Sequence, residues 1–490
     1  MLITRRGFFR SAALASACVL SSPDRQALIA AATERYRPDL LPSARTVWDW
    51  QVWMAGLGPK FAGNDAHRTF VEFLATELKR AGLDVARDSY VFTRWESTRR
   101  ELTATPNGAQ PRKVPVTSDY PYSGRTEPQG VTGELVYGGT TLSPNVPNDL
   151  TGKILLLEAP TRPRRSFYDG RELLVSWGVD DQPPSSISGG LEPRNFPPTL
   201  TGFGKAGALG VVFAWTDVSD ENAAYQYLPW SRPLEGVPAL WVGRDSGARL
   251  RQWTETRARA TLTLEAALVP DTHSDALIAT LPGSSPQEIL IIHSHTDGPN
   301  AVEENGGLGI LALAKYFARL PVSARTRTLV FVLVPGHFAR AYVPSMEGFI
   351  DKHPEIVRNA VGALCIEHLG CREWKDDSAM KYRPTGKDEL SLVMTNVKSA
   401  ADIVLAGVAG TADHRGVVVK TTDRFGGEGR FLAGAGVPTI GYIPIPDYLV
   451  AAPPNGYIDK VSRSLMYGQI QAFAKMIHRM DVMTETQLKG

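Results

Sequence analysis

The sequence predicts an α/β fold: a mixed, mostly parallel sheet sandwiched by helices, with a β-rich insertion. Three observations predict it. From residue 275 onward, near-continuous Ile/Leu/Val runs alternate with segments of helical spacing, the pattern of a sheet covered on both faces. From about 120 to 265 the texture changes to short apolar runs among many Gly and Pro. Before both, residues 66–93 pass from a helical period to a strand. A chain of 490 residues, 43% hydrophobic and 21% charged, is long enough for two or three globular domains.

The elements follow in order. Residues 1–22 contain Thr4-Arg5-Arg6-Gly7-Phe8-Phe9 and a short apolar run, Ala12 to Leu20. That run is shorter than the ~20 residues a spanning helix needs. The segment reads as a cleavable twin-arginine export signal, which places the protein in the periplasm or outside the cell. No later stretch is apolar enough to span a membrane. The net charge is +2; without Arg5, Arg6 and Arg10 the remainder sits near −1. A near-neutral chain with no basic run offers nucleic acid no electrostatic footprint. Two cysteines remain, Cys365 and Cys371. Export permits them to pair, but spacing alone does not decide it, and two thiols do not make a zinc-thiolate site.

Phe70, Phe73, Leu74, Leu78 and Leu83 give the helix over 66–83, and DVARDSYVFT the strand over 84–93. In the insertion, Ile154–Leu157 and Gly236–Val242 read as strands, and Phe203–Phe213 as a small-residue helix feeding a strand. Beyond it, DALIATLPG, EILIIHSHTD, RTLVFVLV (327–334), the ALCI run and GVPTIGYI (436–443) read as strands. GGLGILALAKYFARL (306–320), SAADIVLAGVAG and SRSLMYGQIQAFAKMIHRM read as helices.

Chemistry in such sheets gathers at the carboxyl ends of strands. Alternation puts His293, His295 and Asp297 on one face at the end of IIHSHTD. Glu304 follows in the loop VEENGG, and Glu367-His368 after ALCI. One imidazole and two carboxylates suit a divalent ion. His295, Glu304 and Glu367 are therefore the candidate ligands, with Asp297 holding the far ring proton of His295. His293 and His368 read as core or supporting groups, either one able to serve as a fourth ligand.

The run LIATLPG…EILIIHSHTDG…ENGG, a helix, then RTLVFVLV resembles the zinc exopeptidase family of bacterial leucyl aminopeptidase and glutamate carboxypeptidase. GLGPKFAGNDAHRTFVEFLATELKRAGLDV and VPTIGYI…YIDKV resemble that family's opening and close. The order GK-strand, KAGALGVV, GVPAL, GARL resembles an inserted protease-associated domain. The resemblance implies peptidase-like parts at 45–118 and 266–485 around a protease-associated domain at 119–265. That domain has no histidine and is not expected to carry the chemistry.

The resemblance also implies two metals and a glutamate that takes a proton from bound water. His295 falls on the first ligand, Asp297 on its orienting partner, Glu304-Asn305 on a bridging Asp-Asn, and Glu367 on a later Asp. The family's Glu-Glu, base then ligand, falls on His337 and Phe338. The late histidine falls on Gly429, with Glu428 one residue away, and a further polar pair falls on Ala452 and Gly456. Both private ligands of the second metal are missing. The expected site holds one divalent ion, zinc by resemblance, or none. His337 is either a substitute base or a strand-end polar group. Three functions stay open: hydrolysis of a peptide, amide or ester; receptor-like binding without catalysis; and elimination or cyclisation in the same pocket.

Replacing Arg5 and Arg6 with Lys is expected to hold the protein inside the cell. Fractionation that finds the variant exported like the parent would refute the export signal.

Overall fold

The computed structural model describes residues 35–490 except 108, 162–170, 180–189, 198 and 422, so the export segment 1–22 lies outside the described residues. The architecture is the expected one: a mixed, mostly parallel sheet with helices on its faces. Strand Ser285–His295 runs parallel to Arg327–Val334 on one side and to Ala360–Ile366 on the other. Ala360–Ile366 is parallel in turn to Thr439–Tyr442. Beyond these lie Ser391–Thr395 and Gly416–Lys420, parallel to one another.

The strand Arg327–Val334 occurs as its sequence predicts, buried at every residue. Its neighbour Ser285–His295 is buried from Ile289 onward. Near-continuous apolar runs are stable only where both faces are covered. Helices Asp65–Arg80, Gly306–Ala318 and Arg463–Val482 supply part of that cover. Each start is set locally. Asn64 and Ser462 cap the first and third, accepting from His67 N–H at 2.8 Å and Leu465 N–H at 3.4 Å. Gly306 opens the second, and a Cβ there would fall 2.1 Å from the Ile366 carbonyl oxygen. Only glycine lets this helix begin so close to the neighbouring strand.

Two strands are much longer than their sequences predict. Asp84–Thr105 and Arg259–Leu281 form an antiparallel ribbon, with register shifts between Phe92 and Arg94 and between Ser97 and Arg99. One end of the Arg259–Leu281 strand pairs with Arg327–Val334, the other with Val131–Thr140. The ribbon thus joins the strands around Ser285–His295 and the strands between residues 131 and 242 into a single sheet. The distal half of Asp84–Thr105 is hard to read because its outer face is solvated; Trp95, Leu102 and Ala104 are its buried apolar residues. The stretch between residues 131 and 242 also sends strand Glu172–Trp177 to the far edge of that sheet, against Gly416–Lys420. Among the described residues no helix is long and apolar enough to cross a membrane.

The parallel core fixes where the chemistry collects. His295 pairs with Val334 and His293 with Cys365, so three neighbouring strands end at one level. The loops carrying His337, Glu367 and His368 leave the sheet beside His295.

Candidate metal centre

At this strand-end edge, His295, Glu303 and His368 bring three ligand atoms within 4.8 Å of one another, and all three residues are buried. His368 Nε2 stands 3.0 Å from Glu303 Oε2, and His295 Nε2 stands 4.0 Å from Glu303 Oε1. Glu367 Oε2 joins them, 3.8 Å from His295 Nε2 and 3.7 Å from His368 Nε2. Tetrahedral zinc with ~2.0–2.1 Å bonds sets neighbouring ligand atoms about 3.3 Å apart. The observed spacings bracket that value.

The second ring nitrogens decide which atoms are free to ligate. His295 Nδ1 lies 2.9 Å from the Asp297 carbonyl oxygen, and His368 Nδ1 lies 2.7 Å from that of Pro444. A carbonyl only accepts, so in both rings Nδ1 carries the hydrogen and Nε2 of the neutral ring keeps its lone pair. His295 Nε2, His368 Nε2, Glu303 Oε2 and Glu367 Oε2 are all buried without a well-aligned hydrogen bond. Four orphaned atoms of these types fit a divalent ion.

Of the residues singled out by sequence, His295 and Glu367 face this point, and Glu304 does not. Its carboxylate turns away and meets Lys60 Nζ at 2.5 Å, with both side chains at most 1% exposed. Lys60 also donates to the carbonyls of Gly58 at 2.7 Å and Met54 at 3.2 Å. Burial still pushes the Glu304 carboxyl up to about 7, against the pull of Lys60. Glu303 takes the inward place because Asn300 Oδ1 accepts from the N–H groups of Val302 and Glu303 and turns the loop. The doublet Glu303-Glu304 held this signal, but period and spacing cannot say which neighbour a turn points inward.

Asp297 also departs from its expected role. Its carbonyl, not its carboxylate, orients His295. The carboxylate accepts from the N–H groups of His337 at 3.0 Å and Phe338 at 2.7 Å, holding the next loop. Burial nevertheless raises Asp297 to about 8.

His337 does face the site. Its ring stacks on His295 with centroids 4.2 Å apart, and its Nε2 lies 3.7 Å from Glu303 Oε1. Its Nδ1 meets Glu428 Oε1 at 2.6 Å. Burial disfavours the imidazolium, yet the bond and charge of Glu428 prevail and hold His337 at about 9. Glu428 is itself held far below the carboxylate range: burial opposes this, but His337 and the Ser345 hydroxyl outweigh it. The pair is an imidazolium–carboxylate couple in the ion-free protein.

Glu367 is fixed by its other oxygen. Oε1 accepts from the Glu428 N–H at 2.8 Å and the Cys365 thiol at 2.9 Å. Gly427 permits this contact: it sits at φ +62°, and a Cβ there would fall 2.5 Å from Glu367 Oε1. Cys365 and Cys371 are free thiols, not a disulfide. His368 takes φ +58°, which few non-glycine residues adopt. Asn305 clamps this loop by accepting from the Leu369 N–H and donating to the Leu369 carbonyl. His293 lies deeper, with neither ring nitrogen bonded and burial lowering it to about 4.

A pocket of 260 Å³ opens above these groups, lined by Glu303, His337, Glu367 and His368. The inserted region contributes wall residues to it, among them Leu191 and Trp230, but no histidine.

Three solved structures share this architecture. A peptidase M28 precursor from Shewanella amazonensis aligns over 93% of this chain and 97% of its own, at 16% identity and a TM-score of 0.65. A zinc aminopeptidase from Bacillus subtilis covers 90% and 95% at 15% identity and 0.57. An aminopeptidase from Aneurinibacillus sp. strain AM-1 covers 89% and 92% at 18% identity and 0.54. The fold is that of the zinc exopeptidases. No family model matches the chain, and no curated protein sequence does.

Lys60→Met is expected to destabilise the protein by ~3–5 kcal/mol, because it strands a buried carboxylate. Glu304 binds its proton more tightly folded than unfolded, and losing Lys60 raises its folded pKa further above the unfolded value. The deficit should therefore widen as pH rises through about 7, and Glu304→Gln in the same chain should restore part of it. Urea unfolding at pH 5.5 and pH 8 reads both effects; an equal deficit at the two values would show that the pair is not electrostatic.

Proposed function

We propose that this chain is an exported metallohydrolase of the peptidase type, holding one divalent ion, zinc in our reading, and cleaving an amide bond. His295, Glu303 and His368 would hold the ion, with Glu367 completing the set. The single observation that carries this reading is the tautomer of the two histidines, whose Nδ1–H bonds to carbonyls leave both Nε2 lone pairs aimed at two orphaned carboxylate oxygens. The fold shared with zinc aminopeptidases supports the same reading.

An ion held there would polarise the scissile carbonyl and acidify a water. His337 is the residue placed to take that proton. Glu428 fixes its Nδ1–H, so Nε2 is the exchanging atom, directed toward Glu303 and the pocket. A dipositive charge beside His337 would favour its neutral, basic form, as like charges do. Glu428 would then stabilise the imidazolium formed when the proton arrives. Cys365 and Ser345, which bond Glu367 and Glu428, act only through those carboxylates.

Purified protein is expected to carry one ion per chain by elemental analysis. His295→Ala and Glu303→Ala should abolish it, and Glu304→Gln should not. Two ions, or none after zinc loading, would sink the single-ion site.

His337→Ala should slow turnover by roughly 10²–10⁴-fold, the usual contribution of a general base, while the ion content stays at one. Turnover equal to that of the parent would remove His337 from the chemistry.

A further inference from the structure

The pocket above the candidate centre is acidic at its floor and cationic elsewhere. Arg340 and Arg430 line it together with Glu303 and Glu367. Both guanidiniums lie over one ring, Phe431, Arg430 at 4.5 Å from its centroid and Arg340 at 5.0 Å. That shared ring orients them. Arg340 gives its Nε to Glu347 at 2.7 Å. Arg430 has no hydrogen-bond or ion-pair partner among the described residues and is half-buried. It is therefore an oriented, uncommitted guanidinium lining a pocket that also holds the carboxylates of Glu303 and Glu367. A planar fork of five N–H donors matches a carboxylate with two parallel bonds, which an ammonium cannot do.

The lining also includes apolar Ile443, Ile445 and Leu449. The 260 Å³ volume is below the ~300–1,000 Å³ of drug-sized sites, so the ligand is small.

We propose that Arg430, with Arg340 beside it, binds the free terminal carboxylate of a short peptide whose last side chain is apolar. This rests on the hydrolytic reading of the site and narrows it: the substrates are dipeptides and other short peptides with an unblocked C-terminus. The carboxylate lies at the arginine end, and the amide before it lies over His295, Glu303 and His368. Substrates that continue on the carboxyl side of that terminal residue are excluded, because no chain continues past a terminal carboxylate held by Arg430.

The test uses the full mature chain loaded with zinc and two probes, leucyl-leucine and leucyl-leucinamide, which differ by one charge. Calorimetric affinities are measured in a His337→Ala background, where turnover is slow, for Arg430 and for the R430A and R430K variants. Kinetic constants for both probes are measured with His337 intact. A charged hydrogen-bonded contact of this type corresponds to roughly 10–100-fold in affinity. The acid should bind at least ~10-fold more tightly than the amide. R430A should lose that preference with little change for the amide, and R430K should recover only part of it. In turnover the loss should fall on KM. Equal affinity for the two probes, no measurable binding of either, or a preference that survives in R430A would each overturn the assignment. Discrimination in binding without any hydrolysis would instead overturn the hydrolytic reading and leave the carboxylate site standing.

Discussion

Five carboxylates, Asp297, Glu303, Glu304, Glu367 and Glu428, are buried to 1% exposure or less around one strand-end edge. Leaving even one of them charged and unpaired in such a place is prohibitive. Much of the local structure is an answer to that constraint. Asp297 is satisfied by two backbone N–H groups, Glu304 by an ammonium, Glu428 by an imidazolium, a hydroxyl and the Met346 N–H. Glu367 is satisfied at one oxygen only. Glu303 has only the rings of three histidines around it. Glu303 and Glu367 converge with His295 and His368, whereas Glu304, paired at one oxygen only, faces Lys60 instead. Convergence on two imidazole Nε2 atoms, and not the lack of partners alone, therefore marks Glu303 and Glu367 as the candidate ligands.

The same partners position the loops. The Asp297 carboxylate holds the 337–338 turn against the 295–297 turn, so it sets His337 over His295 even though it does not touch the imidazole of His295. Asn305 ties the start of the 306–318 helix to the loop of His368, and Asn300 donates to the carbonyls of Tyr448, Leu449 and Ala451. Each amide spends its bonds across loops far apart in sequence. Such a network is cooperative, and it ties the loops of the centre to one another.

What sequence can convey divides along the same line. Strands 327–334 and 285–295 are legible because burial on both faces demands an unbroken apolar run. His295 and Glu367 are legible because they end such strands. Glu303, His337–Glu428 and Lys60 depend instead on how loops turn, and a turn of one residue exchanges Glu303 for Glu304. Lys60 carries no local sign of its burial: GLGPKFAG is an ordinary loop sequence, and its lysine matters only through a residue 244 positions away. The long ribbon past residue 93 is obscured for a different reason, since half-solvated strands mix polar and apolar residues.

The positions that the sequence resemblance assigns to a second ion are packed or already partnered. Phe338 is 2% exposed and packs against Phe61, Tyr227 and Trp230, with centroids 5.8–6.4 Å away. An apolar cluster fills that side of the strand end. Opposite it, a Cβ on Gly429 would stand 2.8 Å from the Phe425 ring and 3.2 Å from Cys365 Cβ, so a histidine there has no room. Glu428, one residue earlier, is already committed to His337, Ser345 and Met346. Under the single-ion proposal, packing at Phe338 and Gly429 and the bonds of Glu428 leave none of these residues free to ligate, and Glu304 is paired with Lys60. The proposed single-ion arrangement fits these contacts: an aromatic cluster, a Lys–Glu pair and a His–Glu couple already engage the positions that the sequence resemblance assigns to a second ion.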